Sequence, residues 1–162
     1  MSYPPPRYTG DSGEISGVYR PGSSEPQLGN PAGTTVDYLA TGESTGGDFG
    51  LYRWNFGATP SGPDAHFHKT ISESFFVLSG TVRLYDGREW VDGTAGDFLY
   101  VPEGGIHAFR NESGEEASML LLFTPGAPRE DYFETLREWG LGNTMTDAEK
   151  AEFFVRHDTY WL

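Results

Sequence analysis

Between residues 34 and 124 the chain alternates apolar and polar side chains in short runs, each broken by Gly, Pro or Asp-Gly. Thr34–Ala40 reads as a strand, and Gly50–Gly57 as a stronger one. Glu73–Leu78 is an apolar run that stops at Ser79-Gly80, and Thr81–Tyr85 stops at Asp86-Gly87, a hairpin signal between two strand-like runs. Arg88–Asp97 supplies another strand and turn, and Phe98–Val101 leads into Pro102. The tight reversal Pro102-Glu-Gly-Gly precedes a strand that carries His107, Phe109 and Asn111 on one face. Ala117–Thr124 is almost wholly apolar, as expected of a strand buried on both sides. Short strands at this spacing predict a mainly β sandwich or barrel.

The flanks differ. Residues 1–33 are rich in Pro, Gly and Ser with no period of 2 or 3.6, which predicts an irregular arm. Within it, Gly13–Arg20 has the pattern of a short strand. Residues 34–125 form the β unit, and residues 126–162 are predicted to form a helical extension. There Tyr132 or Phe133, Leu136 and Trp139 recur at helical spacing up to Gly140. Thr146 with Glu149 forms a capping box that opens a second helix through Phe153–Val155. These aromatic faces are expected to pack on the barrel.

Candidate chemistry concentrates between Gly62 and Asn111, which holds His66, His68 and His107, three of the four histidines. His66 and His68 are two residues apart and share one strand face. Glu73 follows a short connection, Lys69–Ser72. Three imidazoles and a carboxylate suit one divalent transition metal, Zn, Fe, Ni, Cu or Mn, and leave positions open as a catalytic metal requires. Asn111 reads as a structural residue that closes the turn at Glu112–Glu115, and His157 has no matching spacing. Gly50–Gly57 offers two faces: Leu51, Arg53 and Asn55, or Tyr52, Trp54 and Phe56. If the first faces inward, Arg53 meets an anionic or enolate substrate oxygen; if the second does, the cavity is apolar. The alternation leaves both open. Tyr100 and Phe109 are the other candidate substrate-binding residues.

The spacing resembles the two motifs of the cupin superfamily. The first, His-x-His, three or four residues, Glu, six residues, Gly, is met by His66, His68, Glu73 and Gly80. The second, Gly, five residues, Pro-x-Gly, two residues, His, three residues, Asn, is met by Gly96, Pro102, Gly104, His107 and Asn111. Fifteen residues separate Gly80 from Gly96. One departure is that Pro60 stands where the family opens with Gly, and Gly62 is nearer to the histidines. The resemblance covers residues 35–125. It implies a double-stranded β-helix (jelly-roll barrel) with His66, His68, Glu73 and His107 as metal ligands. The helical tail resembles single-domain, quercetin-dioxygenase-like cupins. That resemblance implies a dioxygenase acting on a flavonol- or catechol-like substrate, with Glu73 also serving as general base. It equally admits a redox-neutral cyclase or isomerase of aromatic compounds, or a non-catalytic small-molecule-binding cupin. Cupins are commonly dimers, which makes a homodimer the expected assembly.

Composition narrows the partners. The net charge is −13, from 11 basic and 24 acidic residues, which argues against nucleic acid or an anionic membrane surface. The absence of cysteine removes disulfides, thiolate ligands and a thiol nucleophile. No apolar signal region is legible near the start, and no run approaches the roughly 20 residues of a membrane span, so the expected location is cytoplasmic. An aromatic content of 15% fits an aromatic small-molecule substrate.

Overall fold

The computed structural model describes residues 2–30, 32–143 and 145–162. Its strands are β1 (Leu28–Gly29), β2 (Thr35–Ala40), β3 (Gly50–Phe56), β4 (His66–Phe67), β5 (Ser72–Ser79), β6 (Val82–Tyr85), β7 (Trp90–Gly93), β8 (Phe98–Val101), β9 (Ala108–Arg110), β10 (Ala117–Thr124) and β11 (Tyr160–Trp161). The helices are α1 (Glu130–Gly140) and α2 (Asp147–Arg156). One antiparallel sheet runs β1-β2-β3-β10-β5-β8, a second runs β7-β6-β9, and a two-stranded ribbon pairs β4 with β11. This is the double-stranded β-helix, with a largely irregular N-terminal arm and two short C-terminal helices.

The core follows from the pleat. On β3, Tyr52 and Phe56 are fully buried, and across β10 the buried set is Ala117, Met119, Leu121 and Phe123. Phe75 and Val77 of β5 face the same interior. β10 alternates buried and half-buried positions, so it is a strand covered fully on one face only, unlike the expectation of burial on both. Its outer residues, Leu120 and Leu122, are apolar but only half covered.

α1 lays Tyr132 and Phe133 onto this core, and Tyr52 Oη donates to Glu130 Oε1 at 2.5 Å. α2 begins with a capping box: the Glu149 N–H donates to the Thr146 side chain, and the Thr146 N–H donates to Glu149 Oε2. Phe153 is buried against Tyr132, with ring centroids 5.6 Å apart and planes nearly parallel.

The arm contains no strand over Gly13–Arg20, where Ile15, Val18 and Tyr19 are exposed. The expected strand has no partner edge there. Pairing begins only at β1, where Leu28 and Gly29 meet Val36 and Thr35. The arm is fastened by Arg20, whose Nη2 lies 3.2 Å from Asp37 Oδ1. Asp37 also receives Arg53 Nε at 2.9 Å and Asn55 Nδ2 at 3.1 Å. Burial pushes the Asp37 carboxyl up, but the hydrogen bond and charge of Arg53, with Asn55 and Arg20, outweigh it and hold its pKa below the ordinary value.

A group with a lowered folded pKa contributes stability that is present above its unfolded value and is lost as pH falls through the folded one. Asp37→Ala is therefore expected to lose about 2 kcal/mol at pH 7, since it strands two guanidinium groups. Urea titrations of both proteins should show that gap narrowing below about pH 4, near the ordinary aspartate pKa. A gap that is absent at pH 7, or constant across the range, contradicts the role given to Asp37.

Candidate metal centre

Four local devices bring the ligands together. β4 presents His66, and an isolated antiparallel bridge joins it to His107: each N–H donates to the other's carbonyl, at 3.0 and 2.9 Å. The Pro102–Gly105 reversal is pinned just beyond that strand, since Gly104 N–H donates to His68 O at 2.6 Å. Gly104 has φ +80°, a conformation that favours glycine. Gly62 has φ +146°, and a Cβ there would overlap the carbonyl of Phe109. The entry turn thus has its close-approach glycine two residues later than Pro60. Glu73 starts inward from β5, opposite Val101 of β8 and Phe123 of β10.

His66, His68, Glu73 and His107 are all buried, and one ligand atom from each lies within 4.8 Å of the others. Each imidazole is oriented by a backbone carbonyl. Nδ1–H of His66 donates to Asp64 O at 2.9 Å, that of His107 to Gly105 O at 2.9 Å, and that of His68 to Asp158 O at 2.5 Å. A proton held on Nδ1 leaves the Nε2 lone pair as the metal-binding site, the arrangement found behind metal-ligating histidines. Nε2 of His107 and of His68 lie 2.9 and 3.2 Å from one Glu73 oxygen. Atoms this rich in lone pairs sit so close only with protons or a cation among them. The donor set therefore fits a divalent transition metal, held by three Nε2 atoms and the Glu73 carboxylate.

The electrostatics agree. Burial pushes the Glu73 carboxyl up, but the hydrogen bonds and positive charge of His107 and His68 outweigh it and hold its pKa well below the usual range. Burial, with the charge of His107, lowers His66 to about 4, so it is neutral at pH 7. Burial opposes charge on His107, but the hydrogen bond and charge of Glu73 prevail and raise its pKa. The cluster opens on a cavity of about 700 Å³, lined by His66 and Glu73 and by apolar walls that include Trp54, Phe109, Phe133 and Trp161.

Comparison with known proteins bears on this geometry. The Cupin_2 (cupin domain) family matches residues 53–123. The chain is 31% identical over 91 residues to quercetin 2,3-dioxygenase of Bacillus subtilis, covering 56% of this chain and 26% of that one. It is 33% identical over 66 residues to an uncharacterized protein of Aquifex aeolicus, covering 41% and 54%. The chain thus spans a quarter and about half of the lengths of these two curated relatives. KdgF from Halomonas sp. superposes with a TM-score of 0.55 at 17% identity, over 67% of this chain and 93% of that one, a likeness of fold. This chain belongs to the cupin superfamily.

Of the other sequence-derived site residues, the cupin cavity takes in Phe109 and leaves out two. Phe109 is buried and lines the wall. Arg53 is not in the cavity: β3 turns Tyr52, Trp54 and Phe56 inward, so the alternate residue Arg53 points to Asp37 on the other face. Tyr100 is also outside. It lies on β8 at the end of the six-stranded sheet and is 56% exposed, on the face opposite Val101. Asn111 is structural, donating through Nδ2 to Gly57 O and Glu115 O. His157 stays out of the cluster; its ring lies against Phe153 and 3.2 Å from Asp131.

The sequence reading missed the last residues of the chain. β11 pairs with β4, setting Trp161 against His66 with ring centroids 5.0 Å apart. Asp158, at φ +52°, supplies the carbonyl for His68. Its carboxylate receives the N–H groups of Lys69 and Thr70 and the Thr70 hydroxyl, at 2.7 to 3.1 Å. Only the His-Asp pair in an aromatic-rich tail hinted at this, and nothing in its spacing linked it to His68.

Asp158→Ala removes three charge-assisted hydrogen bonds from the turn between His68 and Glu73. The expected loss is about 2 kcal/mol, or ~4–8 °C in the thermal midpoint for a chain of this size. Calorimetry of the two proteins at pH 7 reads it directly. An unchanged midpoint contradicts the pinning of this turn by Asp158.

Proposed function

We propose that this cupin is a metal-dependent dioxygenase acting on a small aromatic or enolic substrate of flavonol or catechol type. The observation that carries the reading is the buried set of three carbonyl-oriented imidazoles and one carboxylate, opening on a largely apolar cavity of about 700 Å³ whose walls include Trp54, Phe109, Phe133 and Trp161. That volume lies within the range of small-molecule pockets, about 300–1,000 Å³. The similarity to quercetin 2,3-dioxygenase supports the choice of chemistry.

In this reading His66, His68, Glu73 and His107 hold the ion. When bound, such a metal supplies a Lewis acid and, where redox-active, a route for electrons from substrate to dioxygen. The chain's own residues do the rest. The backbone carbonyls of Asp64, Gly105 and Asp158 keep the three rings aimed inward. Trp54, Phe109 and Phe133 flank the aromatic body of the substrate and exclude water. Glu73 lines the cavity and is ionised at neutral pH, so it is placed to take the proton of a substrate hydroxyl. Its low pKa comes from the hydrogen bonds and positive charge of His107 and His68, which outweigh its burial.

Elemental analysis of untagged protein is expected to give close to one transition metal per chain. His66→Ala, His68→Ala and His107→Ala should each lower that content sharply. Glu73→Gln should retain part of the metal while oxygen uptake with flavonols falls by about 10²–10⁴-fold, the usual contribution of a positioned acid or base. Metal-loaded protein that consumes no oxygen with flavonols or catechols overturns the dioxygenase assignment and favours redox-neutral chemistry or binding. Wild-type turnover in Glu73→Gln removes Glu73 as the base.

A further inference from the structure

The cavity holds a cation that the metal centre does not use. Arg129 is 4% exposed and lines the same space as His66 and Glu73. Its Nη1 donates to His157 O at 2.7 Å, and its Nε is buried with no hydrogen-bond partner. The guanidinium lies over the Tyr132 ring at 4.0 Å and near those of Phe123 and Phe133 at 5.2 and 5.7 Å. Among the described residues it forms no salt bridge. The carboxylates beside it in sequence are engaged elsewhere: Glu130 with Tyr52, and Asp131 with His157.

Its position is also costly for the helix. Arg129 is the N-cap of α1 and makes no side-chain cap hydrogen bond. A positive charge there adds to the positive end of the helix dipole, where anions are favoured and cations are not. Ring faces offset part of the loss of water around a buried guanidinium, but they accept no hydrogen bond from Nε, and His157 O accepts only from Nη1. A buried, always-charged planar fork that lines a cavity, with one carbonyl acceptor at His157 and no carboxylate partner among the described residues, is complementary to an anionic oxygen.

We propose that Arg129 recognises the ligand of this cavity, and that the ligand carries a carboxylate or enolate oxygen on a largely apolar body of aromatic size. The anionic oxygen meets the guanidinium, and the apolar body lies along Trp54, Phe109 and Phe133 toward Glu73. This deepens the reading of the cavity as a substrate site, and it selects ionised aromatic acids or enols over neutral aromatics. Arg129 acts here as a specificity-determining residue.

Isothermal titration calorimetry on zinc-loaded and chelator-treated protein tests this with two pairs of probes. One pair is 2-naphthoate and neutral 2-naphthamide; the other is 4-hydroxycoumarin, an enol ionised at neutral pH, and neutral coumarin. In both preparations at least one anion is expected to bind tenfold or more tighter than its neutral counterpart, and the pair that shows the preference names the source of the anionic oxygen. The preference should vanish in Arg129→Met. Should that variant fail to fold, Arg129→Lys keeps the charge but loses the planar fork, and should weaken the preference at least threefold. The proposal is overturned by equal binding of anions and neutral counterparts, by no binding of either anion at millimolar concentration, by a preference that survives Arg129→Met or is unchanged in Arg129→Lys, or by one that disappears with the metal. Protein that takes up no zinc yet keeps an Arg129-dependent preference overturns the metal reading alone, so the two failures are distinguishable.

Discussion

Three hydrogen bonds from imidazole Nδ1 to backbone carbonyls govern this structure's chemistry. They fix the tautomer and the aim of His66, His68 and His107, and they draw on three separate segments: the entry turn at Asp64, the reversal at Gly105 and the C-terminal stretch at Asp158. Because backbone supplies all three acceptors, the site depends on fold geometry rather than on further side chains. The His66–His107 bridge and the Gly104 bond to His68 O hold the two motif segments at one spacing. Most of what the rest of the fold does for function is to keep those carbonyls in place.

The second constraint is the low polarity of the chamber. The barrel supplies Trp54 of β3, Phe109 of β9 and Phe123 of β10, and α1 and β11 add Tyr132, Phe133 and Trp161. Ion–dipole and ion–ion interactions grow stronger as water is excluded. That is why Glu73 stays ionised while deeply buried, and why an arginine set in the same space bears on what enters. The chamber combines an apolar surface, a cluster of groups that could hold a metal and a buried arginine, the features on which the proposed recognition of an ionisable small molecule rests.

Most of the strands, and the clustering of the four donor side chains, were legible from sequence because each rests on a local rule. Glycine and proline punctuation located the turns, the period of two located the faces, and the spacing of His66, His68, Glu73 and His107 placed four donors in one barrel. The choice between Arg53 and Trp54 was not legible, since a strand's two faces are equivalent until its neighbours are known. The buried neighbours turned out to be Met119 and Leu121 of β10 and Phe133 of α1, which draw the aromatic face inward. Arg129, Asp158 and Trp161 lie outside both motifs. Their roles arise from contacts up to 95 residues apart in sequence, as between Trp161 and His66, and no periodicity records such contacts.

Nitrogen NMR of the four histidines, before and after zinc is added, tests the central claim most directly. The account predicts that Nε2 of His66, His68 and His107 shifts on zinc binding, that each ring keeps its proton on Nδ1, and that His157 is unmoved. Fewer than three shifted rings, a proton on Nε2 in the zinc-loaded state, or a response at His157 would contradict it.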